Sequence, residues 1–230
     1  MEKLRAENLV KVYRDGDKEI LALDKVSLEI EEGALSTIVG PSGSGKSTLL
    51  YLLAGLDKPT SGEIYLNGVS FSSLSDEKRA EMRAEKVGFI FQFYHLLPEL
   101  SILENVCLPL LIKESKKGHF SFSRIIKEAK EKAILLLNQL GIEKKKESRP
   151  FQLSGGEEQR AAIARALINQ PRFIFCDEPT GNLDEEATEN VISLILSLNE
   201  RGQTFCITTH SEKLGKIGRK RLYLEKGRLV

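Results

Sequence analysis

The 230-residue sequence predicts an α/β fold: a core of parallel strands and helices, an antiparallel β subdomain, and an inserted α-helical subdomain. Three observations carry this prediction. Short apolar runs at 35–40, 171–177 and 204–210 alternate with helix-like segments, an order that suits a parallel sheet. Residues 4–12 and 23–30 alternate apolar with polar, most plainly in "ALDKVSLEI", as strands of an antiparallel sheet do. The span 93–152 holds few strand-like runs and several helix-like ones.

Along the chain, the first two strands are joined through "RDGDKE". "LSTIVG", 35–40, is an apolar strand running into a glycine-rich turn, and "KSTLLYLLAGL" after it reads as a helix. "PTSGEIYLNGVS" is punctuated as a hairpin with Asn67-Gly68 at its turn. Residues 124–140 form an amphipathic helix closed by Gly141. "PRFIFCDEPT" is a strand ending in acids, a helix covers 185–200 and stops near Gly202, and "TFCITTH" is the next strand. The organisation expected is one domain, 1–230. Residues 1–92 and 153–230 form its nucleotide-binding core and β subdomain, and 93–152 its helical lobe.

Composition narrows the function. With 34 basic and 33 acidic side chains the net charge is +1, without the basic excess of a nucleic-acid-binding domain. Cys107, Cys176 and Cys206 are too sparse and scattered for a disulfide framework or a metal cluster, and fit a reducing cytosol. The charged N-terminal stretch is not a signal peptide, and no apolar run reaches the roughly 18–20 residues of a membrane helix. Any membrane role is expected to come through a partner.

The strongest motif is "GPSGSGKST", residues 40–48, which fits G-x-x-x-x-G-K-[ST] through Gly40, Gly45, Lys46 and Ser47. Gly40, Gly43 and Gly45 let the backbone fold tightly, so that after Pro41, which has no N–H, the successive N–H groups from Ser42 and Ser44 to Thr48 converge on a phosphate. The helix that begins there adds its positive end. Lys46 can reach the outer phosphates of ATP, and the Ser47 hydroxyl can ligate Mg²⁺. Asp177 supplies the acid for the hydrated Mg²⁺, and Glu178 can polarise an attacking water.

"LSGGEEQR" poses a separate question. Ser154 and Glu157 make a capping box, but that does not explain two glycines between them. Gly155 and Gly156 clear the first turn of side chains, so a bulky anion can approach its N–H groups. One nucleotide needs only the first anion site. The economical expectation is that the second faces the γ-phosphate of ATP held by another copy, so that each subunit owns half of each pocket.

In this order the motifs resemble those of the nucleotide-binding subunit of ATP-binding-cassette (ABC) transporters. "GPSGSGKST" is similar to that family's phosphate loop, "FQF" to its Q-loop, and "LSGGE" to its signature motif. "FIFCDEPT", "GNLD" and "TTH" are similar to its acidic strand, D-loop and H-loop. The resemblance implies a P-loop NTPase (RecA-like) core that hydrolyses ATP with Mg²⁺. It implies that Tyr13 stacks on adenine, that Gln92 contacts Mg²⁺ and senses the γ-phosphate, and that His210 bonds that phosphate beside Glu178. Asp184 would tie two sites across a homodimer, or cap the helix at 185.

The stretch "FIFQFYHLLPELSILENVCLPLLI", 89–112, is similar to the lipoprotein-releasing group (LolD type) and its relatives, the MacB-type efflux and FtsE division ATPases. That implies integral membrane permease partners, a place on the cytoplasmic face of the bacterial inner membrane, and power for lipoprotein release. MacB-type efflux or an FtsE-like scaffold are the alternatives. A permease continuing the same chain, as often in the MacB type, is not expected in a sequence ending at Val230. A DNA-repair cassette is disfavoured by the missing basic excess and coiled coil. Phe93, Leu96, Leu97 and Leu100 fit either a docking groove or the core of the helical lobe. Glu158, where the group commonly has Arg or Gln, is expected to point to solvent. "KESKKGHFSFSR", 113–124, reads as a solvated loop.

Overall fold

A computed structural model describes residues 3–16, 18–115 and 122–230. β1 (Lys3–Asp15) and β2 (Lys18–Glu31) pair antiparallel along most of their length, so the strands continue into the segment expected to be a plain connection. The alternation of β2 buries Val26, Leu28 and Ile30 on one face, and an irregularity between Leu23 and Val26, with Lys25 at φ 52°, brings Leu23 into the same core. β3 (Leu35–Val39) is buried throughout and leads to α1 (Lys46–Leu53). β4 (Ser61–Leu66) and β5 (Val69–Ser70) form the expected hairpin. Asn67 and Gly68, at φ 54° and 76°, make its turn.

The next two elements, α2 (Asp76–Lys86) and β6 (Val87–Ile90), are not among those expected from the sequence. α3 (Ile102–Ser115), interrupted by Pro109, and α4 (Phe122–Gln139) occupy the span read as helical, and Gly141 at φ 71° closes the latter. Part of the basic stretch 113–124 lies outside the described residues. The remaining elements are α5 (Gly155–Leu167), β7 (Phe173–Asp177), α6 (Glu185–Glu200), β8 (Thr204–Thr209), α7 (Glu212–Gly215), β9 (Lys220–Glu225) and β10 (Arg228–Leu229).

Two sheets result. One has the order β2-β1-β4-β5 and is antiparallel. The other has the order β10-β9-β3-β8-β7-β6, parallel except for β10 at its edge. β3 sits between β8 and β9, so the loop after it opens at the carboxyl ends of the strands, where α/β sheets bind ligands.

The second sheet separates two apolar cores, and β7 contributes to both by alternation. Phe173 and Phe175 pack with Leu49 and Leu53 of α1 and with Leu9 and Ile30 of the first sheet. Ile174 and Cys176 pack with Val106 of α3, Ala133 and Leu137 of α4, Ile163 of α5 and Ile195 of α6. Phe175 has no exposed surface. Phe175→Ala should destabilise the protein by about 3–5 kcal/mol, read as a lower midpoint in urea unfolding.

Candidate functional site

The loop at 40–48, expected to hold phosphate, is built by its glycines. Gly40, at φ 154°, passes so close to the Leu224 carbonyl that a side chain would collide with it. Gly45, at φ 101°, packs against the Ala22 carbonyl just before α1. Pro41, Ser42 and Gly43 stay exposed at the mouth. Lys46 is buried, and its ammonium donates to the carbonyls of Gly40 and Pro41, 3.0 Å each. The Ser44 hydroxyl is buried in the loop with no hydrogen-bond partner among the described residues.

At the end of β7, the Ser47 hydroxyl donates to Asp177 Oδ1 at 2.9 Å, and the Thr208 hydroxyl donates to the same oxygen at 2.6 Å. The parallel register that sets Asp177 opposite Thr208 explains the second contact. Tyr51 of α1 also approaches Asp177. Burial first, then the charge of Asp177, pushes its phenol up to about 12. Thr208 and Tyr51 were not singled out from the sequence. A hydroxyl inside a fully buried strand was the available signal for Thr208.

Glu178 leaves the strand with φ 45°, in the left-handed region. His210 Nδ1 lies 2.9 Å from Glu178 Oε1, and the His210 backbone N–H donates to Oε2 at 3.2 Å. The carboxylate is therefore aimed by the residue that comes directly after β8. The Glu178 side chain is 12% exposed and that of His210 65%, so the acid is sheltered and the imidazole open.

Gln92 is not hydrogen-bonded to Ser47 or Asp177. Its side-chain nitrogen would meet a Cβ on Gly181 at 3.2 Å, and its carbonyl accepts from Asn182 Nδ2 at 3.0 Å. Tyr13 is partly exposed, donates to Asp57 Oδ2 at 3.0 Å, and has the Lys11 ammonium 4.8 Å from its ring centre. It also reaches the Thr48 side chain at the end of the phosphate loop.

The start of α5 is placed apart. Ser154 Oγ accepts from the Glu157 N–H and Glu157 Oε2 from the Ser154 N–H at 2.9 Å, the reciprocal cap read from the sequence. The Ser154 N–H holds the Glu157 carboxyl below the usual range, Lys145 adding to this. The resulting stabilisation is present near neutral pH and is lost as pH falls through the lowered folded value. Asp184 caps α6, accepting from the Ala187 N–H at 2.7 Å.

Ser154, Gly155, Gly156 and Asp184 line a cavity of about 370 Å³ that contains no phosphate-loop residue. The glycine pair also serves the fold. A Cβ on Gly156 would lie 3.2 Å from Ala187 Cβ, and one on Gly155 3.2 Å from Tyr94 Oη. Glu158 does not stand free in solvent as expected. It is half-buried on the side of α5 facing Tyr94, and burial raises its carboxyl. Of the four apolar residues after Gln92, Phe93 and Leu97 are exposed, Leu100 is half-buried, and Leu96 packs on the helical core.

A glycine-rich loop opens α1, two acids stand at the end of β7, one strand removed from β3, and a capped glycine helix start lies elsewhere on the surface. A family profile described as "ABC transporter" matches residues 23–181, more than half of the chain.

The chain belongs to the ABC transporter family, as one of its ATPase subunits.

It is 45% identical over 227 residues to the lipoprotein-releasing system ATP-binding protein LolD of Legionella pneumophila (strain Paris), covering 98% of this chain and 96% of that one. Among solved structures it is similar to the dimeric bacterial ABC transporter cassette MJ0796, with TM-score 0.88 and 40% identity over 98% of this chain and 96% of that chain. A post-hydrolysis state of the same cassette, bound to ADP and Pi, matches with TM-score 0.85, again at 40% identity and the same coverage.

Ser154→Ala should cost about 0.5–2 kcal/mol by leaving the first turn of α5 uncapped, read in chemical denaturation. Lys46→Ala should weaken ATP binding at least about tenfold by removing the buried ammonium, measured by titration with a fluorescent nucleotide.

Proposed function

We propose that this chain is the ATP-hydrolysing subunit of a lipoprotein-releasing transporter. It would work as a homodimer in the ATP state, beneath membrane permease subunits on the cytoplasmic face of the bacterial inner membrane. The observation that carries the hydrolytic part is the pair of acids at the end of β7. Asp177 is committed to Ser47 and Thr208, while Glu178, one residue on, is held by His210 and faces away from that cluster of donors.

The residues present fit Mg²⁺. Ser47 and Asp177 place one hydroxyl and one carboxylate at the root of the phosphate loop, with Gln92 on the neighbouring strand's exit. When bound, the ion neutralises charge on the outer phosphates.

The chain's own residues do the rest. Backbone N–H groups of 40–48 and Lys46 hold the β- and γ-phosphates. Glu178 accepts a proton as water attacks the γ-phosphorus. The new P–O bond forms as the bond to the β-phosphate oxygen breaks, leaving ADP and phosphate. His210, fixed through Nδ1, keeps Nε2 for the γ-phosphate side. Tyr13, beside Thr48, offers a ring face to the adenine.

Two features support the assembly. Ser154, Gly155 and Gly156 share a cavity with Asp184 and not with their own phosphate loop, so a second copy is the economical source of the phosphate they would meet. For the permease, a groove of about 680 Å³ between α2, β6 and α3 is floored by Leu56, Val87, Phe89, Leu108 and Ile112. A cytoplasmic helix with an apolar face fits it. No helix among the described residues is long and apolar enough to cross a membrane, so a spanning function would rest with the partner. The 45% identity to the LolD protein over nearly the full chain favours lipoprotein as cargo.

Glu178→Gln should lower steady-state hydrolysis by about 10²-fold or more while ATP binding persists. Gel filtration with ATP and Mg²⁺ should then show a dimer. Brisk hydrolysis by this variant would remove Glu178 from the role of base. Co-purification from native membranes should recover lipoprotein-releasing permease subunits, and recovery of an efflux permease or a division protein would overturn the cargo assignment.

A further inference from the structure

We propose that Arg165 is a positioning residue for Gln92: it ties the loop carrying Gln92 to α5, so that loop and helix move as one body. This rests on reading Gln92 as part of the hydrolytic site.

The loop after β6 holds an uncommon backbone. Tyr94 and His95 are consecutive non-glycine residues at φ 59° and 49°. A left-handed backbone is disfavoured for a non-glycine residue, so the surroundings must over-determine the conformation. Arg165, in the last turn of α5, supplies that constraint. Its Nη2 donates to the Tyr94 carbonyl at 2.5 Å, and its Nη1 donates to the His95 carbonyl. The planar fork thus grips the two carbonyls of the two left-handed residues.

The grip is strong because the guanidinium has little else. Burial lowers it to about 10, so it remains a cation at neutral pH. No carboxylate pairs with it among the described residues. A half-buried cation answered only by carbonyl dipoles makes charge-assisted bonds that are costly to break.

The rest of the loop is pinned to other elements. Asn182, after β7, donates to the Gln92 carbonyl. Asn105 of α3 accepts from the Leu97 N–H at 2.7 Å and donates to its carbonyl at 3.0 Å. Between these anchors, Arg165 is the polar tie to α5, the helix whose first turn is Gly155 and Gly156. Gly155 itself sits beside the Tyr94 hydroxyl, so α5 meets the loop at both ends. His95, Phe91 and Arg165 also line the 680 Å³ groove, so an element seated there would bear directly on the tie.

The test uses the full chain. Amide exchange of residues 91–97 is measured by mass spectrometry in the parent, R165A and R165K, together with kcat and KM for ATP in each, with and without Q92A. Lysine keeps the charge but cannot span two carbonyls in a fork. The expected result is exchange in 91–97 about tenfold faster in both variants. In both, kcat should fall about tenfold with KM within about twofold of the parent. In the Q92A background R165A should lower kcat no further. If R165A does not fold, R165K carries the same comparison. Unchanged exchange at 91–97 would overturn the proposal, as would a loss confined to KM or one that multiplies with Q92A. If Q92A turns over like the parent while R165A loosens the loop, the role of Gln92 fails and the tie stands.

Discussion

The site is organised around one carboxylate. Asp177 is almost fully buried at the end of β7, where an unsatisfied charge would be costly, and it is answered from two directions. Ser47 reaches it from the first turn of α1 and Thr208 from β8. These bonds fasten the phosphate loop to the sheet independently of any ligand. They also set the course of the next residue: with Asp177 locked into the ladder, the chain must turn sharply at Glu178. Its left-handed backbone sends the second acid toward His210, while the first stays with Ser47.

Around that point the two apolar cores divide the labour. Alternate residues of β7 enter opposite cores, so the strand that presents both acids is clamped from both faces. The core beneath the helices is continuous from Ile174 and Ile207 of the sheet to Ala133 and Leu137 of α4. The span 93–152 is an excursion of the chain that packs on the sheet's own core, and its first loop is joined to α5 by contacts such as those of Arg165 with the Tyr94 and His95 carbonyls.

What was legible in the sequence was whatever local chemistry demands. The phosphate loop needs glycine at fixed positions, the hairpin needs Asn67-Gly68, and the cap of α5 needs Ser154 and Glu157. All three could be read from spacing. α2 could not, because among its residues only Arg79 is buried and no apolar stripe marks its inner face. β6 is four residues long, too short to display a period. The contacts of Thr208 and Arg165 join residues 31 and 70–71 positions away, which no local pattern announces. Glu158 was placed wrongly because its surroundings come from Tyr94, a residue of another loop. The glycine pair was read only as clearance for an anion. Its second use, letting α6 approach through Ala187, belongs to tertiary packing.

The way Lys46 rests has a consequence for selectivity. Its ammonium is already satisfied by two carbonyls of its own loop, so an incoming anion does not rescue a stranded charge. It must outbid an existing arrangement. A weakly charged or singly coordinating anion offers little beyond what the loop provides for itself, whereas a chain of phosphates engages several loop amides at once. Under the proposed function, self-saturation would act as a threshold: the two carbonyls hold the loop's lysine in place, and a small anion would gain little by displacing them.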